Sequence, residues 1–210
     1  VDLSFGRNWN SANTYFDDTM FANNGLYVGQ NNALIAALFA NAAIKQMYLR
    51  RVRTLMDEWM QWTNTPPANL KYERRIQELA TLLTPDTTLD FAKWPTWGQK
   101  QTLAQAVDIL TNRYMPARRN YLFRLSEIPK AQPPDAALAF GDIDVNPVSG
   151  NQAEEFIQLT NTNAIAMDVS QWKLTGAVTH TIQSGTVVPA RSALYLSPDV
   201  PAFRARKAAP

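Results

Sequence analysis

Between Asn31 and about Ser126, apolar residues recur at helical spacing. Ile44, Tyr48, Val52, Leu55, Trp59 and Trp62 step by four, four, three, four and three, one stripe along a helix that Pro66-Pro67 is expected to end. A second stripe, Leu70, Ile76, Leu79 and Leu83, stops before Pro85. A third, Leu103, Val107, Leu110 and Tyr114, meets Pro116 and resumes as a short helix through Leu125. At this spacing the aromatics Tyr48, Trp59, Trp62 and Tyr114 are expected in a core. Trp94-Pro95-Thr96-Trp97-Gly98 falls in a connector instead, where it would plug a gap between helices or cover a cleft.

After Ile128 the pattern changes. The segment PKAQPPDAA reads as a proline-rich connector, and beyond it short β-rich runs alternate with turn residues. Phe140–Val145, Glu155–Thr160, Trp172–Thr175, Thr179–Ile182 and Ser192–Leu196 read as strands, separated by NPVSGN, NTNA, TGA and SGTVVPA. Strands at that spacing predict a sandwich or barrel. Five of them leave unpaired edges, and the closing FRARKAAP reads as a polar, basic tail, so the β half is expected to be incomplete. The chain therefore divides into a helical part at 1–128, a linker at 129–136 and a β part at 137–210, an α+β multidomain arrangement.

Composition narrows the function classes. Twenty Lys and Arg against 18 Asp and Glu give a net charge of +2, which is no nucleic-acid signature. Only Arg50-Arg51-Val52-Arg53 and Arg118-Arg119 concentrate positive charge, and both are expected on solvated helix surface. Without cysteine there is no disulfide framework, thiolate metal site or Cys nucleophile, and the compartment stays open. The longest apolar run, Ala33 to Ala43, is too short to span a membrane and is interrupted by Asn41.

The chemical candidates are few. His180 is the single histidine, which excludes a His-based triad or multi-His metal site within this sequence; between Thr179 and Thr181 it is expected on an exposed strand. Glu154-Glu155 would point to opposite faces of a strand, Glu155 structural and Glu154 solvated, and Asp17-Asp18 are expected exposed. No glycine-rich phosphate loop or nucleophile elbow occurs. Asp2 is the one residue with a chemical rationale. In Asp2-Leu3-Ser4-Phe5-Gly6 a carboxylate precedes an aromatic-glycine turn, an arrangement that can hold Mg²⁺ against phosphate oxygens or can be a plain surface loop.

Asp2 to Trp9, followed by Tyr48-Leu49-Arg50-Arg51-Val52-Arg53-Thr54-Leu55-Met56-Asp57-Glu58, resembles the C-terminal part of the CotH kinase family, the spore-coat-protein-H-like atypical protein kinases. That family's Asp-x-Asp-x-x-Phe-Gly segment binds the nucleotide's metal ion, and Asp2 falls on its second Asp. The later stretches Phe140–Pro147, Glu155–Asn161, Asp168–Leu174 and Gly185–Ala190 resemble a lamin-tail domain, an immunoglobulin-like sandwich attached to such kinases in bacterial exported proteins. Gln158 departs from it where an acid is usual, and Arg191 where glycine is favoured.

The resemblance implies a fragment of a bacterial extracellular or cell-envelope protein. The parent would use ATP and Mg²⁺ to phosphorylate Ser or Thr of a protein, with Asp2 as a metal ligand. Its catalytic and nucleotide-binding residues would lie upstream of Val1, and its closing strands beyond Pro210. Alone the fragment is expected to be inactive and to hold neither cofactor tightly. Its implied partners are a protein substrate or an envelope component, with no nucleic acid. The competing reading is a non-catalytic surface or adhesion protein on a degenerate kinase-like scaffold.

Overall fold

The computed structural model describes residues 33–94 and 102–206. These are mixed helix and sheet with small antiparallel sheets, an α+β class. They divide into two compact units: Ala33 with 55–94 and 102–128, and 34–54 with 129–206. The residues of the second unit are thus discontinuous in sequence, because a helical segment joins the β residues.

Helix α1 spans Ala33–Ala40 and α2 spans Ala42–Leu55. Asn41 separates them by capping the second: its Oδ1 accepts from the amides of Ala43 (3.0 Å) and Ile44 (3.2 Å). Past Leu55 the winding widens to a π-helical segment, Met56–Met60, which closes with the Gln61 amide donating to the Met56 carbonyl. Gln61 has φ 61°, so the helix ends there, ahead of the proline pair expected to stop it. The Gln61 side chain then donates to Asn69 O and accepts from the Lys71 amide, each at 2.7 Å, joining the end of one helix to the start of the next.

That next helix, α3, spans Lys71–Lys93 and runs through Pro85, against the expected stop. A proline in a helix interior deletes one donor and crowds the carbonyl four residues back. Around Pro85 the hydroxyls of Thr81, Thr84, Thr87 and Thr88 donate to carbonyls of Gln77, Ala80 and Thr84, adding turn-to-turn bonds beside the missing one. The stripe on α3 is not core: no α3 residue is fully buried, and Leu79 and Leu83 are exposed. Pro116 does not interrupt its helix either. Helix α4 (Leu103–Asp108) passes through a π segment (Ile109–Tyr114) into α5 (Met115–Arg124). The wider turn, with Met115 N donating to Leu110 O, fits the proline ring without a break. In this unit the apolar core is Met56, Tyr114, Met115, Leu122 and Ile128, whereas Trp59 and Trp62, expected inside, are exposed.

In the second unit the strands are β1 (Ala139–Asp144), β2 (Phe156–Thr160), β3 (Met167–Asp168), β4 (Lys173–Leu174), β5 (His180–Thr181), β6 (Val187–Val188) and β7 (Ala193–Leu196). They form one three-stranded antiparallel sheet, β1-β2-β7, and two ribbons, β3-β6 and β4-β5. β3 and β6 were not legible as strands, and Val187-Val188, read as part of a separator, is fully buried. Leu159, Met167, Val169, Ile182 and Val188 make the core, with Ile157, Leu194 and Leu196 packed on it. Asn161, wholly buried, organises the turn beyond β2: its Nδ2 donates to the carbonyls of Ile165, Val188 and Pro189, and its Oδ1 accepts from Asn163.

The C-terminal stretch is not a polar tail as far as Arg206. Asp199 caps a helix, α6 (Val200–Ala205), by accepting from the Ala202 amide. Phe203 packs on Phe156 and Tyr195 at centroid distances of 5.5 and 5.4 Å, and the Arg206 guanidinium lies 4.4 Å from the Phe156 ring.

Replacing Pro85 with Ala restores the missing donor on an exposed helix. Pro85→Ala is expected to stabilise the first unit by up to about 3 kcal/mol, read as a higher urea midpoint by far-ultraviolet circular dichroism.

Candidate functional site

Two arginine runs, expected on solvated helix surface, instead contain buried residues, Arg50, Arg118 and Arg119, and Arg50, Arg51, Arg53 and Arg119 bond to distant parts of the chain. On α2, Arg50 is only 2% exposed; its Nε donates to Ala166 O (2.9 Å) and its Nη1 to Lys130 O (2.8 Å). Arg53 donates to Pro129 O at 3.1 Å. Arg51 Nη1 donates to Asp168 Oδ2 at 3.0 Å and to Ser170 Oγ at 3.1 Å. A guanidinium carries five donors in a plane, enough to satisfy carbonyls of loops that no strand pairs, and this draws the side chains inward.

Asp168 anchors the far side of this network. Its Oδ1 accepts from the Ser170 amide at 3.0 Å and from the Ser170 hydroxyl, a turn that Asp-Val-Ser sets up locally. Its backbone is gripped by the Gln132 carboxamide, which accepts from Asp168 N (2.8 Å) and donates to Asp168 O (3.2 Å). Burial pushes the carboxyl up, but the Ser170 hydroxyl and amide, then Arg51 and Thr54, outweigh it and hold Asp168 below the usual carboxylate range. The group stays ionised at neutral pH. It holds elements together, joining α2, the Asp168–Ser170 turn and the proline-rich segment.

The proline-rich segment belongs to the same network. Pro129, Lys130, Gln132 and Ala137 are tied through backbone or side chain to α2, β3 and the Asn163 carboxamide. On the first unit, Arg119 is nearly as buried as Arg50; it donates to Met60 O (2.8 Å) and pairs with Glu73 at 2.6 Å. Arg118 lies over the Tyr121 ring, 5.3 Å from its centroid. Burial raises the Tyr114 pKa, and the nearby Arg118 charge opposes the shift.

Between α3 and the helix that begins at Leu103 lies an open groove of about 930 Å³. Thr81, Thr84, Thr88, Thr102, Val107 and Thr111 are among its walls. The hydroxyls of Thr81, Thr84, Thr88 and Thr111 donate to carbonyls of their own helical segments.

Of the residues singled out in the sequence, Asp2 and Asp17-Asp18 lie outside the described residues, as does most of the Trp94–Gly98 segment. His180 is exposed on β5, as expected. Against expectation, neither Glu154 nor Glu155 lies in a strand. Glu154 closes a 3₁₀ turn (Gln152–Glu154) and accepts from Ser149 Oγ (2.9 Å) and Asn151 Nδ2 (3.3 Å), so it is bonded rather than simply solvated. Glu155 only follows that turn. Among the described residues, no group of three or more His, Asp or Glu side chains could hold a metal ion, and no helix is long and apolar enough to cross a membrane. The comparisons with protein-family models, curated proteins and solved structures give no match.

Two outcomes test the network. Arg50→Ala removes a buried charge and strands two carbonyls, and is expected to cost about 3 kcal/mol in chemical denaturation; Arg50→Lys is expected to recover less than half, since an ammonium lacks the planar fork. For Asp168 the folded pKa lies below the ordinary 3.8, so its stabilisation is present above that value and is lost as pH falls through the folded pKa. Asp168→Asn is therefore expected to destabilise by about 2 kcal/mol at pH 7, with the gap to the wild type narrowing in melts run below pH 3.8.

Proposed function

We propose that this chain is part of an ATP-dependent atypical protein kinase of the CotH-like type, carrying a lamin-tail-like, immunoglobulin-like interaction module in residues 137–210. One observation supports the interaction module: several positions of the lamin-tail-like stretches make bonds that hold the second unit's turns. Asn161 satisfies three carbonyls, and Asp168 receives Ser170 and Arg51. Gly185 takes φ 87° and donates its amide to Ser170 Oγ. Arg191 stands at φ 55°, where the resemblance favours glycine and where a glycine would sit without strain.

In this reading Asp2 is a ligand of the Mg²⁺ that neutralises the phosphates of ATP during transfer to a protein hydroxyl. Asp2 lies outside the described residues, and its metal role follows from the resemblance. The protein acceptor and the bacterial envelope location follow from the same resemblance.

The test is phosphate transfer from labelled ATP to a general protein acceptor such as casein, by the longest natural polypeptide that contains this chain. Mg²⁺-dependent labelling is expected, falling by at least about a hundredfold in Asp2→Ala. Absence of labelling, or labelling indifferent to Asp2→Ala, would overturn the proposal and leave the non-catalytic scaffold reading in place.

A further inference from the structure

β1 is an edge of the three-stranded sheet, and its apolar residues are not where an edge strand of a closed domain would keep them. Phe140 lies opposite Leu159, and Ile143 opposite Ile157, so both stand in the rows that β2 turns toward the core. Yet Phe140 is 62% and Ile143 52% exposed, and Val145, just past the strand, is 69% exposed. The core continues outward along β1 into solvent.

The edge also carries charge. Asp144 is answered by Arg206 at 3.4 Å, but Asp142 is exposed and no ion pair among the described residues neutralises it. Between Phe140 and Ile143 the pairing with β2 shifts register. There the Asp142 amide donates to Gln158 Oε1 (3.0 Å), while Gln158 Nε2 donates to Tyr195 Oη (2.7 Å), so one carboxamide spans all three strands. Gly141 makes room for it, since a Cβ there would overlap the Gln158 carboxamide. The bulge is thus firmly built, and it holds Asp142 at the edge.

This combination selects an occupant. A second copy adding antiparallel through β1 would bring the acids of the two edges together, and like charges facing each other across strands are destabilising. A strand alternating apolar and basic residues meets both features: its apolar side continues the row of Phe140 and Ile143, and its cations meet Asp142. We infer that β1 is a docking edge for an extended, basic-apolar segment of another protein, which adds to the sheet as a fourth strand. The inference stands on the second unit alone and does not require the kinase reading.

The probe is a synthetic peptide of about ten alternating valine and lysine residues. It is titrated calorimetrically into the full 210-residue chain, with amide exchange of β1 followed by nuclear magnetic resonance. The expected result is binding at least about tenfold tighter than that of the valine-glutamate counterpart, slowed exchange in β1, and loss of about tenfold in Asp142→Lys with an unchanged melting temperature. If Asp142→Lys does not fold, Asp142→Asn takes its place, with a smaller loss expected. A valine-lysine peptide N-methylated at every second residue, on the edge that would pair, is expected not to bind. Equal affinity for wild type and variant, undiminished binding of the methylated peptide, or dimerisation through β1 in sedimentation would each overturn the inference.

Discussion

The second unit depends on taking one full positive charge out of water. At Arg50 the guanidinium is buried against carbonyls contributed by loops that no sheet satisfies, Ala166 before β3 and Lys130 in the proline-rich segment. Burying an ion is costly unless its hydrogen bonds are replaced, and leaving carbonyls buried without donors is costly too. The two liabilities cancel here because the donors of the fork and the open acceptors coincide. With that pairing in place, Arg51 and Arg53 on the same helix reach Asp168, Ser170 and Pro129, so a single helical turn fastens two remote stretches of chain, 129–130 and 166–170.

The first unit meets a related problem along the helix axis. Prolines that should end helices sit inside them, and accommodation comes from the backbone rather than from breaks. A widened π turn precedes Pro116, and threonine hydroxyls bond back along the helix on either side of Pro85. Neither device leaves a hydrophobic signature, so a reading based on apolar periodicity and proline positions stops the helix early.

Helix existence, the change of pattern after Ile128 and five of the seven strands among the described residues were legible, because periods of 3.6 and 2 are written by burial itself. β3 and β6, at two residues each, are too short to show a period and follow only from tertiary packing. The polar network was hidden for a different reason. Arg50 and Arg118 look like surface residues in any local window, since their carbonyl partners and ring contacts carry no side-chain signature in the sequence. Only the Asp168-Val169-Ser170 turn had a local cue. Asp2, the candidate with the clearest chemistry, lies outside the described residues, so the metal reading remains one made from sequence.

Because the partners of α2 are so remote in sequence, the second unit also has an order of assembly. Arg50 finds its carbonyls 80 and 116 residues further on, and Arg51 finds its carboxylate 117 residues further on. During synthesis the helix therefore emerges well before its native partners, and the full set of them exists only once the chain has been made past Ser170. Closing so long a loop is entropically slow, though the extra cost grows only with the logarithm of its length. The second unit should thus be the later of the two to consolidate, with the arginine helix as its final latch.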